Sequence, residues 1–174
     1  MGDFLGLYEG FQSFMELGGS VAWPLAGVAL MMWFIIFDRL VYTRTAHVAL
    51  RKAAVINWRA REERTSWYAQ RIREVTISEL MVAYERGLII LKSLIAVCPL
   101  LGLLGTVMGM LEVFDVVAIN GNSNVRAMAA GVSEATVSTM MGMVVALSGL
   151  FFGERLRRSA IAERRRLEDL LGTE

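Results

Sequence analysis

Three long apolar runs organise the sequence. They cover residues 21–42, 88–114 and 129–153, and the stretches between them mix charged and apolar residues. A bilayer core about 30 Å thick takes about 20 helical residues to cross, so each run is long enough to span it. Neither the runs nor the connecting stretches show the alternation typical of strands. The pattern therefore predicts an all-α polytopic membrane protein with three transmembrane helices.

The remaining segments are also predicted to be helical. Residues 43–87 contain no proline and are rich in Ala, Arg, Glu and Leu, which favours helix. Residues 154–174 place apolar side chains among charges, so we expect the third span to continue as a long helix that ends at Gly172. Residues 1–20 form either an amphipathic surface helix or a flexible tail. The helix is favoured by six apolar residues at helical spacing: Phe4, Leu7, Tyr8, Phe11, Phe14 and Met15.

The distribution of basic residues predicts the orientation. Residues 1–20 contain no Lys or Arg, residues 39–86 contain ten, residues 115–128 contain one, and residues 154–174 contain six. Because positively charged segments stay on the cytoplasmic side, the N-terminus and the 115–128 connection are predicted to lie outside. The 43–87 loop and the 154–174 tail are predicted to form cytoplasmic helical extensions, giving an N-out, C-in topology.

Composition narrows the classes of function. The chain is 55% hydrophobic with a mean hydropathy of +0.49, which suits a membrane protein. Its single cysteine (Cys98) and single histidine (His47) cannot build a disulfide framework or a metal site. A net charge of +1 gives no indication of nucleic-acid binding. No catalytic motif stands out, so we expect neither an enzyme nor a cofactor.

Glu134 is the ionisable side chain inside the third apolar run. A carboxylate in a spanning helix costs several kcal/mol unless it faces protein or water, so it marks a candidate functional site. One interpretation is a carboxyl that lines a hydrated interior and exchanges protons or ions. The other is a structural carboxyl near the outer interface, satisfied by neighbouring hydroxyl groups.

Small residues form a ridge along the third run. They recur about every 3.7 residues, which keeps them on one helix face. Such ridges let helix backbones approach closely in lipid, and the second run offers a partner surface of the same kind. The predicted helix-packing residues are Gly105, Gly109, Gly131, Ala135, Ser138, Gly142, Ala146 and Gly149.

The hydroxyl residues do not define one narrow face. Measured from Gly131 at about 100° per residue, Glu134 falls at about −60°, Thr139 at about +80° and Thr136 at about 140°. Thr106 and Thr139 are also open to a structural interpretation, since threonine commonly bonds a carbonyl of its own helix. In the second run, Pro99 is predicted to kink the helix.

Two stretches resemble the ExbB/TolQ/MotA family of inner-membrane ion-channel and motor subunits. They are CPLLGLLGTVMGMLEVF at 98–114 and AAGVSEATVSTMMGMVVAL at 129–147. The first carries Pro99 and the pattern G-T-V-x-G at 105–109, and the second carries G-[IV]-x-E-A at 131–135, with Thr139 five residues after the Glu. The first span and the three-span topology are similar to those of short ExbB-type members. MotA-like subunits have an extra span and a larger cytoplasmic domain.

The resemblance implies a bacterial inner-membrane protein that forms a homo-oligomer, a pentamer around a central pore. An ExbD/TolR-like single-span partner would bring an Asp into that pore, and a TonB-like energy transducer would carry work to outer-membrane transporters. Thr106, Glu134 and Thr139 would then line the pore or proton path. Two alternatives stay open: a TolQ-like subunit for envelope maintenance, and a non-conducting assembly scaffold. An intramembrane enzyme is poorly supported, because Ser133 lacks a nearby histidine in the sequence.

Overall fold

The computed structural model describes residues 6, 9–10, 12, 15–63, 66–120 and 124–172. Within those residues the chain is helical and contains no strand, which confirms the predicted all-α class. The helices are a short 3-10 helix at Gly19–Val21, α1 at Ala22–Arg44, α2 at Ala46–Arg59, α3 at Trp67–Glu85, α4 at Leu88–Asn120 and α5 at Val125–Leu170.

Three helical stretches are long and apolar enough to cross a membrane, and they contain α1, α4 and α5. This agrees with the three predicted spans. The helix α4 continues to Asn120, so the first residues of the predicted 115–128 connection are helical. Of the apolar residues that predicted an N-terminal amphipathic helix, Met15 is described and buried, and the other five lie outside the described residues.

Local signals explain where the helices begin and end. The Ser66 hydroxyl caps α3 by accepting a hydrogen bond from the Ala69 N–H at 3.2 Å. The Asn124 side chain does the same for α5, accepting from the Ala127 N–H at 3.2 Å. Between α3 and α4 the chain turns at Gly87, whose φ of 90° is readily available only to glycine.

The chain divides into two compact units, and α1, α4 and α5 each contribute to both. The first unit comprises residues 1–33 and 93–150 and contains the candidate site. Its core is made by Met15, which precedes α1, and by residues from the start of α1 and from the membrane-length parts of α4 and α5: Ala22, Leu25, Cys98, Met141 and Ala146.

The second unit comprises residues 34–92 and 151–174. Here α2, α3 and the C-terminal part of α5 pack through an apolar core of Trp58, Ala69, Ile77, Met81, Tyr84, Ala160, Leu167 and Leu171. Leu167 and Leu171 are fully buried, so the charged tail of the sequence is anchored by its apolar positions.

Candidate functional site

Helices α4 and α5 touch at glycine residues in the first unit. A Cβ atom added to Gly142 would lie 2.7 Å from the Cys98 carbonyl oxygen and 3.0 Å from the Gly102 Cα. One end of the contact therefore has backbone against backbone, as small residues permit in lipid. All eight residues predicted to pack helices are buried: Gly105, Gly109, Gly131, Ala135, Ser138, Gly142, Ala146 and Gly149.

The close contact between α4 and α5 continues along both helices. A Cβ atom on Gly109 would meet the Ala135 Cβ and the Gly131 carbonyl oxygen, each at 2.9 Å, and one on Gly131 would press on the Val113 side chain. The helices are thus in contact on either side of Glu112 in α4 and of Glu134 in α5. Pro99 is exposed, and α4 continues as a single helix on both sides of it.

The threonine hydroxyls make different hydrogen bonds. Thr139 donates across the helix pair to the Gly102 carbonyl at 3.2 Å, and Ser138 reaches the same carbonyl at 3.4 Å. Thr106 donates within its own helix to the Leu103 carbonyl at 2.6 Å. Thr136 likewise bonds the Val132 carbonyl at 2.8 Å. Structural back-bonding therefore describes Thr106, whereas Thr139 links α4 to α5 and also lies 3.4 Å from the Ala135 carbonyl of its own helix.

Three hydroxyl residues line one open groove between α4 and α5. Thr106 comes from α4 and Thr136 and Thr139 from α5, and the groove has a volume of about 580 Å³. Its other lining side chains are apolar. Thr136 and Thr139 are about 60° apart around α5, and both reach the groove because its wall is broad. The structure therefore brings together two of the three residues predicted to line a pore, Thr106 and Thr139.

Glu134 does not line this groove. Its carboxyl lies against Gly19, where any side chain would collide with it, and within hydrogen-bonding distance of the Glu112 carboxyl from α4. Gly19 has a φ of 66°, so its identity suits both the turn and the close contact. The predicted site thus separates into a hydroxyl groove and a carboxyl pair.

Glu112 was not among the candidate residues predicted from the sequence. The signal that could have found it is register: Glu112 precedes Val113, which contacts Gly131, and Glu134 precedes Ala135, which contacts Gly109. Two helices that touch at these points bring the preceding side chains side by side. The contact therefore places two acidic side chains next to each other, of which Glu112 is exposed.

Within the described part of the chain, no three His, Cys, Asp or Glu side chains are grouped as metal ligands would be. The groove thus offers hydroxyl groups among apolar side chains, and the contact near Gly19 offers a carboxyl group.

Comparisons with known proteins indicate the family of the chain. A family model described as the MotA/TolQ/ExbB proton channel family matches residues 36–169. The ExbB-like 3 protein of Synechocystis sp. is 41% identical over 68 residues, which are 38% of this chain and 32% of that protein. The biopolymer transport protein ExbB of Xanthomonas campestris pv. campestris is 28% identical over 101 residues, 56% of this chain and 40% of that protein. The matched stretches span less than half the length of either relative.

Proposed function

This chain belongs to the MotA/TolQ/ExbB proton channel family, and we propose that it is an ExbB-type subunit of a proton-driven motor. In this proposal it works with an ExbD-like partner to use the proton motive force for TonB-dependent transport across the outer membrane. Support comes from the family match and from the similarity to relatives that include a biopolymer transport protein. Moving one charge through a membrane potential supplies about 2.3 kcal/mol per 100 mV, the energy source that such a motor would use.

The observation that carries the proposal is the family match over residues 36–169, which includes Glu134 within a helix long and apolar enough to cross a membrane. We propose that Thr106, Glu134 and Thr139 contribute to the proton path. The groove hydroxyls would stabilise water along it, and the partner's Asp would complete it.

The assembly and its place in the cell belong to the same proposal. The subunit would form a pentamer in the bacterial inner membrane around two copies of the single-span partner. The N-terminus and the 115–128 connection would face the periplasm, and the second unit would lie in the cytoplasm, because its segments carry most of the basic residues. A TolQ-like role in envelope maintenance is the nearest alternative, and the relatives' names favour the ExbB type.

The test is the double variant Glu134→Ala with Thr139→Ala in cells that lack their own ExbB-type subunit. We expect iron-siderophore uptake to fall at least about tenfold, equivalent to about 1.4 kcal/mol, while the oligomer with its partner still forms. Ser133→Ala is the matched control, since its exposed hydroxyl is on the same helix but is not among the groove-lining residues. Wild-type uptake by the double variant, with the complex intact, would contradict the proposed proton path and favour the scaffold alternative.

A further inference from the structure

A second groove runs between α3 and the C-terminal part of α5, within the second unit. It has a volume of about 490 Å³, and apolar side chains of α3 form its floor. Ile77 and Met81 are buried there, whereas Val82 is 69% exposed. The three side chains make one apolar strip, a surface of the kind on which the apolar face of another helix can lie.

The α3 side of this groove is acidic. Glu74 and Glu85 are among its lining residues and are exposed. Glu74 is paired with an arginine of its own helix, whereas Glu85 has no ion pair among the described residues. The basic residues of the groove, Arg73 and Arg164, both bond to Glu168, one to its carbonyl and the other to its carboxylate. The groove therefore offers a free carboxylate to a basic side chain from outside.

The opposite charge is carried by a neighbouring face of α5 that does not line the groove. At about 100° per residue, Arg158 and Arg165 fall within about 60° of Ile161, so the three side chains form one basic face. Ile161 is 45% exposed, and both arginines are exposed. Arg158 shares the carboxylate of Glu154 with Arg157, and Arg165 has no ion pair within the described part of the chain. The basic face thus complements the groove in charge and has an apolar centre.

The level of each residue along the helices decides which side chains can meet. Within one copy, Tyr84 bonds Ser159 at 2.8 Å and Arg73 bonds the Glu168 carbonyl at 2.7 Å, so α3 and α5 run antiparallel. Counting equal numbers of residues from the first contact gives the residues of α3 and α5 that lie at one level. The level pairs are Glu85 with Arg158, Val82 with Ile161, and Ser78 with Arg165.

Rotation about an axis along these helices would bring the level pairs of two copies together. Copies in a closed ring are related by rotation alone, so each residue faces residues at its own level in the next copy. The pairs then place a base opposite an acid, an apolar side chain opposite another, and a base opposite a hydroxyl. The match ends one turn further along, where Asp169 is level with Glu74. Because the groove and the basic face are different surfaces, the contact is heterologous, the type that closes rings.

We propose that the groove holds the basic face of α5 from a second copy of this chain. In this contact the Arg158 guanidinium pairs with Glu85 of the next copy, and Ile161 covers Val82. The inference rests on the homo-oligomer of the proposed function. It adds a surface in the second unit through which neighbouring subunits meet.

The test is disulfide cross-linking between copies of the full chain in the membrane. Val82→Cys and Ile161→Cys are placed in separate copies that carry different tags and are co-expressed. After oxidation with copper(II) phenanthroline, we expect a dimer that contains both tags, since a disulfide requires Cα atoms closer than about 7 Å. This product cannot form within one copy. The native Cys98 is fully buried and is present in every sample.

Val75→Cys combined with Ile161→Cys is the matched control. Val75 is exposed on the same helix but does not line the groove. We expect this pair to give at least about fivefold less dimer, because its Cα atoms would be too far apart for a disulfide.

Charge reversal tests the pairing of Glu85 with Arg158 in the same cross-linking assay. Glu85→Arg is expected to lower the yield of dimer about fivefold, because it faces Arg158 with a like charge. Adding Arg158→Glu restores opposite charges at every contact of the ring, and the yield should return to within about twofold of its starting value. A yield that Glu85→Arg leaves unchanged would overturn this pairing.

The mass of the purified complex and iron-siderophore uptake are measured on the same samples. An oligomer that forms without the cross-link overturns the inference, since the groove would then face solvent or another protein. A disulfide between two Val82→Cys copies, or an equal yield with Val75→Cys, overturns it as well, and a monomeric mass overturns both the interface and the proposed assembly. A cross-linked oligomer without uptake supports the interface and contradicts the channel function.

Discussion

The carboxyl groups of Glu112 and Glu134 lie within hydrogen-bonding distance of each other although they belong to different helices. Their proximity follows from the glycine contacts beside them, where Gly109 meets Ala135 and Gly131 meets Val113. The small residues allow the two helix backbones to approach closely. This close approach places the two acidic side chains next to each other.

Replacing Glu112 by Gln tests whether the pair takes part in proton transfer. An amide can still donate a hydrogen bond to the Glu134 carboxylate, so we expect the helix pair and the oligomer to remain intact. It cannot exchange a proton, so we expect proton-driven siderophore uptake to fall about tenfold, or about 1.4 kcal/mol. Asp115→Asn provides the control, because Asp115 is an exposed acid one turn further along α4. Equal uptake by the two variants would show that Glu112 is not needed for proton transfer.

The spans could be predicted from sequence because they depend on composition and length, which local patterns report directly. The ridge of small residues could also be identified, since helical periodicity alone defines it. The Glu112–Glu134 pair could not, because it depends on the register between two helices. The width of the groove could not be predicted either, because angles on one helix do not give the width of a cleft between two helices.

Gly142→Ala is expected to weaken the contact between α4 and α5. The new methyl group would meet backbone atoms of Cys98 and Gly102, which cannot rotate away as a flexible side chain would. Overpacking of this kind costs about 1–3 kcal/mol, measured as the free energy of unfolding in mixed detergent micelles. Gly27→Ala is the matched control, as a Cβ on this α1 residue has no described heavy atom within 4 Å. A control that loses as much stability as Gly142→Ala would remove the steric explanation.

The hydrogen bond between Tyr84 and Ser159 is expected to stabilise the second unit. Tyr84→Phe removes a 2.8 Å hydroxyl contact, and we expect it to lower the free energy of unfolding by about 1 kcal/mol. A double-mutant cycle with Ser159→Ala should give a coupling energy of similar size, since the single changes delete the same bond. Tyr68→Phe, on the exposed side of α3, should change stability little. Additive effects of the Tyr84 and Ser159 substitutions would mean that the hydroxyls do not interact in solution.

The lowered pKa of Glu154 predicts the pH range in which this carboxyl does not change the stability of the second unit. Hydrogen bonds from Arg157 at 2.9 Å and from Arg158 at 3.1 Å lower the pKa of this carboxyl to about 2. A depressed pKa contributes stability above the unfolded value, about 4.3 for Glu, and loses it as the pH falls towards the folded value. The difference in melting temperature between wild type and Glu154→Gln should therefore stay constant from pH 7 to pH 5 and shrink by pH 3. The difference should also be small, because the pair is exposed to solvent. A difference that changes between pH 7 and pH 5 would contradict the lowered pKa.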